Sequence, residues 1–131
     1  MIVVDASVVV ATLVGEVTEV ATATQRLRGE ELADPELVDI EVMSVLRRKV
    51  GAGELTPAKA RLALNDLRLM PMRRYPNAAL LDRCWELRDN LSSYDAVYVA
   101  LAEALAATLV TADKRLANAP GPQCAIEVLQ V

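Results

Sequence analysis

The first fourteen residues, MIVVDASVVVATLV, constrain the fold more than any other stretch of the chain. They are almost wholly apolar, rich in Val and Ile and free of polar alternation. Such a run reads as a strand covered on both faces, the kind found at the centre of a parallel α/β sheet. Asp5 interrupts it between Val4 and Ala6, with Ser7 just beyond. An ionised carboxylate buried there is costly unless a cation or hydrogen-bond donors neutralise it. Ligands of open α/β sheets bind outside the carboxyl ends of the strands. An Asp where the first strand ends therefore marks a site, and the rest of the chain can be read for what converges on it.

Gly15 to Thr18 can turn the chain, and Val20 to Leu27 with the alanines between them support a helix ending near Gly29. A short extended piece follows around Leu32-Ala33. Asp34-Pro35-Glu36 then has the form of a helix start, with Asp34 as N-cap and Pro35 at the first helical position, and this helix should run to Val50 and stop at Gly51. Thr56-Pro57 opens another helix in the same way, its apolar side supplied by Leu62, Leu64, Leu67 and Leu69, and Pro71 ends it. Met72 to Tyr75 reads as a short strand. Asn77 precedes a helix carrying Leu80, Leu81, Cys84, Trp85 and Leu87. Ser92 or Ser93 caps a helix over 94–107 that is apolar nearly all round, as expected of one packed deep against a sheet. Strands are expected at 108–111 and 126–131, with a helical turn after Asp113. No repeat or linker divides the 131 residues, so the pattern is that of one three-layer α/β/α domain with a mainly parallel central sheet.

Composition narrows the chemistry. There is no histidine, which removes imidazole acid–base pairs, Ser-His-Asp and Cys-His nucleophiles, and His-ligated zinc or iron from what this chain can do alone. Cys84 and Cys124 are the only cysteines and stand far apart, so they read as ordinary thiols rather than a disulfide framework. Carboxylates must carry any hydrolysis. With 18 acidic against 14 basic residues the overall field does not attract polyanions, so a nucleic-acid substrate would need a local basic strip. Arg47-Arg48-Lys49, Arg73-Arg74 and Lys114-Arg115 are the candidates, each of a kind that is more often simply solvated surface. No run of about 18 or more residues lacks charges or breakers, and no signal-peptide pattern opens the sequence, so no membrane segment and a cytoplasmic location are expected.

Each remaining acid has a structural explanation when taken alone. Glu41 shares a helix face with Leu37, Ser44 and Val45, and fits a half-exposed Glu near a helix start. Asp95 stands three residues after Ser92 and Asp113 precedes a helical turn, so capping suffices for both. Their joint placement is harder to explain that way. Asp5 and Asp113 follow strands, Glu41 and Asp95 lie near the starts of buried helices, and all four can surround one sheet edge. Four acids in one cleft repel unless divalent cations are bound, and oxygen-only ligation favours Mg2+ or Mn2+. Such a site can activate water for attack on a phosphodiester.

The segments carrying these acids, DAS at Asp5, EVMSVLRR at Glu41, YDAVYVALAE at Asp95 and LVTADKRL at Asp113, together resemble the PIN-domain family, most closely the VapC toxins of bacterial toxin–antitoxin pairs. The resemblance covers nearly the whole chain. It implies an Mg2+- or Mn2+-dependent endoribonuclease with Asp5, Glu41, Asp95 and Asp113 as both catalytic and metal-holding residues, and it matches Ser7 and Thr111 to supporting polar positions. It departs at Ser44, where the family often has Asn, which shortens the reach available to orient Glu41. It also implies a homodimer and a cognate VapB antitoxin covering the cleft. Arg47, Arg48, Lys114 and Arg115 flank the acids in sequence and are candidate contacts to substrate phosphates. Two other classes are carried forward: a receiver-like domain phosphorylated on a strand-end Asp, for which a second acid beside Asp5 is missing, and a non-enzymatic interaction module.

Overall fold

A computed structural model describes all 131 residues. Five short strands, β1 (Ile2–Val4), β2 (Leu32–Pro35), β3 (Met72–Tyr75), β4 (Thr108–Thr111) and β5 (Ile126–Val128), form one sheet in the order β3-β2-β1-β4-β5. Every pairing is parallel. The helices are α1 (Ala6–Val14), α2 (Val17–Leu27), α3 (Leu37–Gly51), α4 (Pro57–Leu69), α5 (Leu81–Glu86, entered through a 3-10 turn at Ala78–Leu80), α6 (Ser93–Ala104) and α7 (Lys114–Asn118). Helix α6 packs on β1, β2 and β4 with α5 against it, while α1 gathers α2, α3 and α4 around itself. The expected α/β/α architecture with a parallel sheet is thus found, and α6 earns its place by burying every residue from Ala96 to Ala102.

The first correction concerns the opening run. Only Ile2–Val4 is strand; Ala6–Val14 is helix. A continuous apolar run does not distinguish a buried strand from a buried helix, because both faces are covered in either case. Asp5 decides between them. Its backbone is extended and its carboxylate accepts from the Ser7 and Val8 N–H groups, which makes it the N-cap of α1. Gly15 ends the helix where a Cβ would stand 2.5 Å from the Ala11 carbonyl oxygen.

The second correction concerns Asp34-Pro35. Both residues belong to β2, in register with Arg74 and Tyr75 of β3, and α3 is preceded instead by Glu36, whose side chain makes no capping bond. Pro35 is tolerated because it lies at the end of its strand. Asp34 is fully buried and turns its carboxylate to β1, where Oδ1 accepts from the Val4 N–H at 3.0 Å. A capping signature in sequence is also compatible with a strand end that supplies a side-chain acceptor to its neighbour.

Smaller differences follow helical geometry. In α4 the buried positions are Ala63 and Leu67, four apart, whereas Leu62 and Leu69 are exposed. Around α5, Leu80 and Leu87 are buried but Leu81 and Trp85 face outward. Thr56 caps α4 as expected, accepting from the Lys59 N–H. No helix is long and apolar enough to cross a membrane.

Candidate active site

The sheet order places β1 beside both β2 and β4. The chain leaves β1 toward β2 and β3 on one side, then returns to lay down β4 and β5 on the other, so the switch point lies between β1 and β4. Residues at the carboxyl ends of these two strands flank the crevice that such a switch opens. Asp5 follows β1 directly, and Thr111 ends β4 with Asp113 two residues on.

Asp5 is held from two sides. Ser7 Oγ and the Ser7 and Val8 N–H groups donate to Oδ1, and the Thr111 hydroxyl donates to Oδ2 at 2.5 Å. Ser7 Oγ also accepts from the Ala112 N–H, and Thr111 Oγ1 from the Asp113 N–H, both at 3.0 Å. The start of α1 and the end of β4 are therefore stitched together through the two hydroxyls that the sequence matched to supporting positions. Burial pushes the Asp5 carboxyl up from its ordinary value; the Ser7, Thr111 and Val8 hydrogen bonds oppose this and the charge of Asp95 adds to it.

Asp95 sits in the first turn of α6, whose cap is Ser92: the Ser92 hydroxyl oxygen accepts from the Asp95 N–H at 3.1 Å. Its carboxyl is raised by burial and then by the charge of Asp113. Glu41 projects from α3 and is raised by burial, drawn back by the Tyr98 hydroxyl, and raised again by Asp95 and Asp5. Asp95 thus couples to each of the other three acids. Asp113 is the exception in sign. It caps α7 and is gripped by Arg115, whose Nη2 lies 3.0 Å from Oδ2 and whose own N–H donates to Oδ1, so its carboxyl is held below the usual range.

The four acids predicted from sequence are brought to one edge, but no three of them approach closely enough to share one ion as they stand. The donor set is all oxygen, which suits a hard cation that keeps several of its waters and takes only one or two carboxylates directly. Glu41 Oε1 is buried without a hydrogen-bond partner, which leaves the other carboxylate oxygen to face such a cation or its water. Ser44 is exposed and leaves that oxygen unpartnered. Arg47 and Arg48 are exposed on α3, roughly 10 Å further along its axis than Glu41. Lys114 is exposed, whereas Arg115 is engaged by Asp113. Arg74, considered in sequence as part of a basic strip, is a structural residue: it pairs bidentately with Asp39 and donates to the Leu67 carbonyl. Both cysteines are free and half-buried.

Sequence reasoning missed Asp34 and Tyr98. Both are buried under this edge, and each has a polar atom without a partner. Asp34 was hidden by its resemblance to a cap. Tyr98 lies within the run read as a helix packed deep against the sheet, and at 2% exposure it is packed, but its hydroxyl is not apolar.

A parallel α/β domain with carboxylates gathered at its switch point defines the class. The chain belongs to the PIN domain family, whose model matches residues 2–122. It is 47% identical to Ribonuclease VapC9 of Mycobacterium tuberculosis over 129 residues, 98% of each chain, and 41% identical to Ribonuclease VapC1 of the same species over 98% of this chain and 97% of the other. Among solved structures it is similar to Mycobacterium tuberculosis VapC20, described as a sarcin–ricin loop cleaving toxin, with a TM-score of 0.70 and 20% identity over 90% of this chain and 94% of that one. It is also similar to VapBC2 from Rickettsia felis bound to a promoter DNA fragment, with a TM-score of 0.70 and 16% identity over 98% of both chains. These two likenesses concern the fold.

Proposed function

We propose that this chain is the toxin of a VapBC-type toxin–antitoxin pair, a single PIN domain over residues 1–131 that cleaves RNA internally with the help of Mg2+ or Mn2+. The observation that carries this is Asp5, buried at the switch point and oriented by Ser7 and Thr111 within electrostatic reach of Asp95 and Glu41. The identity to VapC ribonucleases over nearly the full chain supports the same reading. Family membership sets aside the receiver-like alternative.

Asp5, Asp95, Glu41 and Asp113 would hold the cation, some of them through water. A divalent ion bound there lowers the pKa of water and offsets charge building on a phosphodiester. The chain's own residues then have separable tasks. Ser7 and Thr111 fix both oxygens of Asp5, so that it presents one orientation without waiting for substrate. Arg115 neutralises Asp113 until a stronger positive charge competes for it. Arg47, Arg48, Lys114 and, once released, Arg115 contact phosphates of the RNA, with a contribution that falls as salt rises. The toxin acts in the cytoplasm as a homodimer, and a VapB-type antitoxin restrains it.

Hydrolysis by activated water leaves a 5′-phosphate and a 3′-hydroxyl and does not use the ribose 2′-hydroxyl as nucleophile. End-group analysis of the cut RNA tests this. Recovery of 5′-phosphates supports the proposal, and cyclic 2′,3′-phosphate ends contradict it.

A further inference from the structure

Three buried polar atoms meet no partner beneath the acidic edge: the Tyr98 hydroxyl on α6, Glu41 Oε1 on α3 and Asp34 Oδ2 on β2. Leaving even one such group unsatisfied is costly, so three in one region call for a common explanation. Tyr98 is 2% exposed, too deep for bulk solvent or RNA to reach its hydroxyl directly. The acids whose charge acts on it are Glu41, Asp34 and Asp5. A phenol among carboxylates can only donate. Glu41 is the nearest of the three in effect: the hydroxyl draws its carboxyl down while burial raises it. Even so, neither the hydroxyl nor Glu41 Oε1 completes a bond of good geometry. The pair is adjacent and not closed.

We propose that Tyr98 is a positioning residue for Glu41, donating its O–H to Oε1 when Glu41 turns toward a divalent cation in the cleft, and so fixing the carboxylate from below while its other oxygen faces the ion. This rests on the nuclease reading above. It also compensates for Ser44, which is exposed and does not reach Glu41. Tyr98 touches neither substrate nor cation and acts only through Glu41. Asp34, the third of these acids, is already engaged through Oδ1 by the Val4 N–H, which leaves Glu41 as the acceptor for the phenol.

The test is Tyr98→Phe, which keeps the ring and removes only the oxygen, measured in the full chain freed of antitoxin. Because the hydroxyl is unpartnered without a cation, the metal-free variant should melt no lower than the wild type. Its affinity for Mn2+, measured by calorimetry, should fall about tenfold, as for one lost bond to a charged group. RNA turnover should show the loss in kcat, with KM for RNA unchanged. In a Glu41→Gln background the effect of Tyr98→Phe on Mn2+ affinity should vanish, since the two act as a unit. Equal Mn2+ affinity in Tyr98→Phe and wild type overturns the role of Tyr98 while leaving the nuclease reading intact. A loss that persists in the Glu41→Gln background also overturns it, as the sign of a merely structural role. Absence of Mn2+ binding by the wild type overturns both.

Discussion

Replacing Thr111 by Val isolates what its hydroxyl does for Asp5. Thr111 is fully buried at the end of β4, and Val matches it in shape and suits a strand at least as well, so packing and propensity alone forecast a neutral or stabilising change. The hydrogen bonds forecast the opposite. The variant deprives Asp5 Oδ2 of its only side-chain donor and the Asp113 N–H of its acceptor. A bond to a charged group contributes about 1.5–3 kcal/mol and a neutral one about 1 kcal/mol, from which the gain of a buried methyl subtracts up to about 1 kcal/mol. The net loss is about 2–3 kcal/mol, or roughly 7–11 °C in Tm for a domain of this size. Thermal unfolding followed by circular dichroism at neutral pH measures it, with Thr111→Ser as the companion. Ser keeps both bonds and loses one methyl, about 1 kcal/mol. The expected order is wild type, then Ser, then Val. The deficit of the Val variant should narrow on acidification, because Asp5, its carboxyl raised further without Thr111, takes up a proton and no longer needs the donor. A Val variant as stable as the Ser variant at neutral pH would refute the reasoning.

Asp34→Asn should stabilise the protein in a pH-dependent way. The folded-state carboxyl is raised above 3.8, so the native state holds its proton longer than the unfolded chain and stability from this group is lost as pH rises through the folded value. Asn mimics the protonated form, and chemical denaturation should give it about 1–2 kcal/mol over wild type at mildly alkaline pH, closing toward zero near pH 3.8; a gap independent of pH contradicts this. Ala106, two residues past the end of α6, has φ of 51°, a left-handed conformation that costs a side chain energy, so Ala106→Gly should raise stability by about 0.5–1 kcal/mol in the same measurement. Arg115→Ala should move the Asp113 carboxyl back up toward its ordinary value, readable by carboxyl-carbon NMR titration, since the Arg115 hydrogen bond is the leading cause of its depression.

The fold was legible wherever chemistry at a boundary was unambiguous. Thr56-Pro57 and Ser92 cap the helices they were expected to cap, Met72–Tyr75 and Thr108–Thr111 are the expected strands, and the all-round apolar character of α6 matches its burial. Legibility failed where one residue serves two structures. Asp5 reads as a charge ending a strand, yet it is also the cap that turns Ala6–Val14 into helix. Asp34 reads as a cap, yet its carboxylate closes on the Val4 N–H across a strand pair thirty residues apart in sequence. The site divides in the same way. The four acids could be singled out as candidates because each stands beside a strand end or helix start, and Ser7 and Thr111 because the family resemblance matches them to supporting polar positions. Tyr98 could not, because its importance lies in which atoms surround its hydroxyl, a property of the packed molecule. Tyr94, on the same helix as Tyr98, is instead 61% exposed, since it stands two residues before the buried run of α6 begins at Ala96.

The most direct test of the nuclease assignment is to incubate antitoxin-free protein with labelled total bacterial RNA in Mg2+, in Mn2+ and in chelator, beside Asp5→Asn and Asp95→Asn proteins shown to be folded. The assignment predicts discrete cuts that require the cation and are lost in both variants. Cutting that survives the chelator, or that persists in the folded Asp5→Asn and Asp95→Asn proteins, would contradict it.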